Sequence, residues 1–255
     1  MLWLMLGCTP DTDTGDTNPQ DTEVWDTDVT PAEGLFCDPA EQIGLIMIQR
    51  WGSDGTPTFD GRIWDQSDPW IAEPTLAEEP CAFYEWSGCE DCPSRSALQA
   101  TATINGVEYT SDDATGMMWG EVSGDVFEMS VRFAGGTATA GPLSLLDGLS
   151  PSVSSSGSYD QPGELAVSWT GADSGHVATW IPINHHANPY TWTQCMVEAD
   201  AGSFTVPEDM VNPLAVSTGL EFQGVWHGEY LAAETDAGCI QFSVQTQHFT
   251  DVDFN

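Results

Sequence analysis

The side chains of this 255-residue chain that could do chemistry are seven cysteines, five histidines and forty carboxylates. Setting Cys8 aside, Cys37, Cys81, Cys89, Cys92, Cys195 and Cys239 make an even set, as three disulfides require. Cys195 and Cys239 alone occupy the C-terminal half, each in a strand-like run, so a bridge between them is expected, while the other four leave three pairings open. Cys89 and Cys92 have C-x-x-C spacing. However, no second C-x-x-C exists to complete a zinc ribbon, and Gly88 and Pro93 frame a loop rather than the strand-to-helix junction of a redox site. His185-His186 lies in the polar loop Asn184 to Asn188 that His227 could approach, and a solvated loop accounts for the pair. Neither a metal nor another cofactor is expected. With forty acids, some pair must stand at the separation a glycosidase needs, so their number discriminates nothing. The chain holds no G-x-S-x-G, no H-E-x-x-H and no lysine at all, which removes Schiff-base and phosphate-clamp chemistry. The expectation is a protein that is not an enzyme, with a secreted hydrolase as a remote alternative.

The groups that remain are aromatic and acidic. Four arginines (Arg50, Arg62, Arg95 and Arg132) against forty acids give a net charge of −36, which repels nucleic acid and anionic lipid. Eleven tryptophans are about three times the ordinary share, and buried core accounts for the majority. Trp70, after Ser67-Asp68-Pro69, and Trp119, between Gly116 and Gly120, read as loop residues that a sugar ring could stack on. Trp169 alternates with Leu165 and Val167 and reads as core.

At the N-terminus an apolar run, residues 1–6, meets Gly7-Cys8. This resembles the lipobox of bacterial lipoproteins, and the resemblance implies cleavage before Cys8, acylation of its thiol and delivery to the outer membrane or cell surface. Met5 replaces the usual Leu, no basic residue precedes the run, and the run is shorter than an ordinary signal peptide, so the true start is expected upstream. Residues 9–35 alternate Asp and Thr with Pro and Gly and hold eight acids, leaving −28 on the rest. Such a stretch buries nothing and is expected to be a disordered, extended stalk.

The body reads as strands. In residues 126–133, Phe127, Met129, Val131 and Phe133 alternate with Glu128, Ser130 and Arg132, and runs at 43–51, 165–169, 177–181, 191–197, 203–206, 220–230 and 240–248 are each bounded by Gly, Pro, Asn or Asp. Only 207–214 looks helical, with Pro207 first and acids behind it. The pattern predicts an all-β sandwich over 98–255, preceded by a Cys- and Trp-rich β segment over 36–97. The succession ELAVSW at 164–169 and QCMVEADAGSFTVPEDMV at 194–211 resembles a module of myxobacterial and related deltaproteobacterial surface lipoproteins. The resemblance implies an immunoglobulin-like sandwich and a surface location, and carries over no catalytic residue. The expected function is a lipid-anchored, exported surface protein with a structural or adhesive role, whose partner is a surface protein or polysaccharide. A carbohydrate-binding module using Trp70 or Trp119 is the alternative.

Overall fold

The computed structural model describes residues 35–38, 41–66, 74–86, 96–158, 161–181, 190–214 and 222–254. The first four strands are β1 (Gln42–Trp51), β2 (Thr58–Ile63), β3 (Leu76–Glu78) and β4 (Cys81–Trp86). Next come β5 (Ala100–Ile104), β6 (Val107–Thr110), β7 (Met118–Glu121), β8 (Val126–Phe133), β9 (Gly136–Ser144) and β10 (Ser150–Ser155). After β11 (Leu165–Thr170), β12 (His176–Ile181), β13 (Tyr190–Glu198) and β14 (Ser203–Val206), the short helix α1 (Glu208–Val211) precedes the long strands β15 (Phe222–Thr235) and β16 (Gly238–Phe254). α1 starts one residue later than the sequence reading, with Pro207 as its extended N-cap and Glu208 and Asp209 in its first turn.

Nine strands form one continuous sheet in the order β7-β2-β1-β16-β15-β12-β13-β4-β3. The hairpin β15–β16 is its axis, paired from Phe222↔Asp251 to Thr235↔Gly238. β1 runs parallel to β16 from Cys239 to Gln247. Beyond the end of β1 the same edge of β16 is taken by β10, also parallel, from Val252 to Phe254. From β10 the hydrogen-bonded strand order branches to β11 and β14.

Strand alternation gives this long sheet two faces. Its inner face carries two apolar cores side by side. In the first, Ile46 and Ile48 of β1, Phe59 of β2 and Phe242 of β16 meet Phe127 and Val131 from a separate four-stranded sheet, β6-β5-β8-β9. In the second, Val177 and Ile181 of β12 and Phe83 of β4 meet Leu165 and Val167 of β11, Val206 of β14 and Met210 of α1. The protein is therefore an all-β sandwich, two covering layers packed on one shared sheet. Strands from 36–97 lie in the same sheet as strands from 98–255. The stalk expected over 9–35 lies outside the described residues except at Leu35.

Two disulfides stitch the sheet, and they correct the expected pairing. Cys195 does not join Cys239; Cys81 is bonded to Cys195 and Cys37 to Cys239. The reason is pairing between distant segments. β4 lies antiparallel to β13 with Cys81 directly opposite Cys195, whereas Cys239 opens β16 beside the start of β1, just after Cys37. Cys195 and Cys239 lie on strands separated in the sheet by β12 and β15, beyond the reach of a bridge.

Candidate functional site

The outer face of the nine-stranded sheet carries the aromatic residues that the cores do not use. On β1, Ile46, Ile48 and Arg50 point inward, so Met47, Gln49 and Trp51 point outward. On β16, Ile240, Phe242 and Val244 point inward, leaving Gln241, Ser243, Gln245, Gln247 and Phe249 outward. Register then places Trp51 beside Gln247, and Gln247 opposite Trp226 of β15. Trp51 stacks on Phe249 with ring centroids 5.6 Å apart and planes 22° apart, and the two remain 45% and 58% exposed. Gly224 faces Phe249 across the hairpin, and a side chain there would strike the Trp226 ring at 2.8 Å. Its lack of a Cβ lets the Trp226 indole lie flat and buried. Farther along the same face, Trp192 of β13 stacks on its cross-strand partner Tyr84 of β4 at 4.8 Å and 8°, and burial pushes the Tyr84 hydroxyl above its ordinary pKa.

Trp119 sits on the edge strand β7, opposite Asp60 of β2, and not in a loop as its glycine context predicts. It is 73% exposed, since Met118 turns inward to the core and Trp119 must turn out. Asp60 is half-buried beside it, and desolvation raises its carboxyl above the usual range against the pull of Arg62.

Between the two cores the inner face becomes polar. Arg50, in phase with Ile46 and Ile48, is buried. Its guanidinium donates to Asp147 and, at 3.3 Å, to Thr246 Oγ1, and lies 3.7 Å from Asp125. His227 and His248 occupy the same seam on the two hairpin strands. His227 is buried, its Nε2 2.8 Å from the Ser174 carbonyl, and its Nδ1 meets no partner among the described residues. Desolvation, with His227 and Arg50 adding their repulsion, holds the His248 imidazole below its ordinary pKa against the attraction of Asp147. Among the described residues no group of three His, Cys, Asp or Glu side chains could hold a metal ion.

Of the residues marked from the sequence, Cys37, Cys81, Cys195 and Cys239 lie in the body as disulfides, Trp119 is exposed and Trp169 is core, its indole Nε1 donating to the Ala199 carbonyl at 2.7 Å. Cys8, Cys89, Cys92, Trp70, His185 and His186 lie outside the described residues. Trp51 and Phe249 were missed. The signal that could have found them is phase: each is the large apolar residue that falls in step with glutamines (Gln49; Gln245 and Gln247) rather than with the isoleucine or phenylalanine stripe of its own strand.

No family model matches the chain, and no curated protein matches it. Among solved structures, the FN1-FN3 domains of chicken CNTN1 are similar at 11% identity and a TM-score of 0.20, over 86% of this chain and 67% of that one. The class of protein, an all-β sandwich stitched by disulfides, is defined by its own strand pairing and core.

Proposed function

We propose that this chain is an exported surface protein, anchored by a lipid on Cys8, whose β-sandwich body has a structural or adhesive role and presents its outer sheet face to a macromolecule. The observation that carries the reading is the Cys37–Cys239 bridge. It fastens the N-terminal end of the described body, the end a tether on Cys8 would pull, to β16 in the middle of the main sheet. Around it, Gln241 accepts from the Cys37 N–H at 3.0 Å and donates to the Leu35 carbonyl at 2.9 Å, and Phe36 packs on Tyr230 at 5.2 Å. Buried disulfides of this kind form in oxidising compartments, in support of export. The exposed rings on the outer face support binding, because large apolar side chains grouped on one surface are a feature of interaction sites.

The test is expression of the full chain, placed behind a complete lipoprotein signal sequence that ends at Gly7-Cys8, in a Gram-negative host fed labelled palmitate. Label and detergent partitioning are expected in the wild type and absent in Cys8→Ser. Equal labelling of the serine variant would remove the anchor from the proposal, and a surface-displayed chain that promotes no attachment of cells to any partner surface would remove the adhesive role.

A further inference from the structure

We propose that the outer face of the nine-stranded sheet binds an extended, uncharged polysaccharide, centred on the Trp51–Phe249 stack with Trp119 as a second contact. This rests on the adhesive reading and names its ligand. The stacked pair offers rigid apolar faces at the ends of two paired strands, and sugar rings present matching C–H faces. Beside the stack lie two amides on the same sheet face: Gln49, two residues before Trp51 on β1, and Gln247, paired with Trp51 across β16. Both residues are more than nine-tenths buried, and among the described residues no hydrogen bond reaches either side-chain amide. An amide offers two N–H donors and a carbonyl acceptor, the complement of a sugar hydroxyl, which both donates and accepts.

Register supplies the second contact. Trp119 lies opposite Asp60, and Asp60 opposite Met47, four residues before Trp51. Two strand spacings across and four residues along put Trp119 about 16 Å from Trp51, a span that one short run of linked sugars covers. Charge selects the ligand class. A chain crossing that span passes Asp60 and Glu121, whose carboxylates accept hydroxyl protons, and Arg62 beside Asp60 leaves the strip without net positive charge. On a molecule of net charge −36, such a strip repels uronate, sulfate and phosphate polymers and accepts neutral ones.

The experiment is native affinity electrophoresis of the full chain through gels containing laminarin, galactomannan or dextran, with alginate and carboxymethylcellulose as anionic counterparts. Retardation is expected in at least one neutral gel and in neither anionic gel. Trp51→Ala and Phe249→Ala are each expected to weaken it about tenfold or more, Trp119→Ala by less, and Gln247→Leu, which keeps the bulk and removes the amide, to weaken it with no change in melting temperature. Val126→Ala, exposed on the covering sheet, should have no effect. Free migration in every neutral gel, retardation only in anionic gels, or retardation indifferent to both Trp51→Ala and Phe249→Ala would overturn the proposal. If displayed chains attach cells to a protein-coated surface while every neutral gel lets the chain pass, the ligand class fails and the adhesive reading stands. Retardation as expected without cell attachment reverses that outcome.

Discussion

His248 gives the seam between the two cores a predictable response to acid. Its folded pKa lies below the ordinary 6.5 because the ring is desolvated beside His227 and Arg50, so the unfolded chain takes up a proton before the folded one does. Stability should be full above about pH 6.5, fall as pH drops through that value, and level off once the folded imidazole also protonates. Melting temperatures measured from pH 8 to pH 5 should show this decline, and His248→Gln should flatten it; an unchanged slope in the variant would place the acid sensitivity elsewhere. Asn105 is a second residue whose role is local and measurable. It holds φ +47° in the two-residue Asn105-Gly106 turn between β5 and β6, the arrangement that favours Asn-Gly. Its side chain also brackets the neighbouring strand, donating to the Val126 carbonyl and accepting from the Glu128 N–H, both at 2.9 Å. Asn105→Ala should cost about 1–3 kcal/mol in chemical denaturation. Asn105→Gly, which keeps the backbone conformation and loses only the two bonds, should cost less.

At the scale of elements, the hairpin β15–β16 contributes residues to both cores, and the disulfides hold other strands to it or near it. Their loops are nested, since the separation of 202 residues between Cys37 and Cys239 encloses the 114 between Cys81 and Cys195. Non-reducing peptide mapping should recover 37 with 239 and 81 with 195, and no peptide joining 195 to 239. Replacing either pair by serines should cost roughly 2–5 kcal/mol. The larger structural loss is expected for Cys37 and Cys239, because their bridge closes the start of the parallel β1·β16 pairing, which no short turn connects.

For the molecule as a whole, the same bridge sets the path of tension. Force applied through the residues before Cys37 crosses to Cys239 and continues along β16, so the intervening residues are shielded while the bond is intact. Pulling the chain N-terminal to Cys37 against Phe254 should release only the length of β16, about 50 Å of extended chain, and reduction should add about 700 Å. Single-molecule extension with and without reductant measures both lengths. A long release without reductant would mean that tension does not follow the bridge.

The amino-acid sequence by itself determined the class of fold wherever one strand face meets the core and the other meets water. β8 and β11 alternate in the structure as their residues do, with Phe127, Met129, Val131, Leu165, Val167 and Trp169 buried, because burial of one face imposes a period of two that is local and readable. It also determined the strong acidity, the absence of lysine chemistry and a short helix that follows Pro207. Short strands such as β2, β3, β6 and β7 escaped notice, since three to six residues bounded by turns carry too little periodicity to stand out. The disulfide partners and the aromatic face were decided only by tertiary structure. Which cysteines meet depends on which strands become neighbours, and the parallel pairing of β1 with β16 joins segments nearly 200 residues apart. Which tryptophans share a surface depends on the register of each strand with the next: Trp119, Trp51 and Phe249 come to one face through the pairs of β7 with β2, β2 with β1 and β1 with β16, and no spacing along the chain records those pairs.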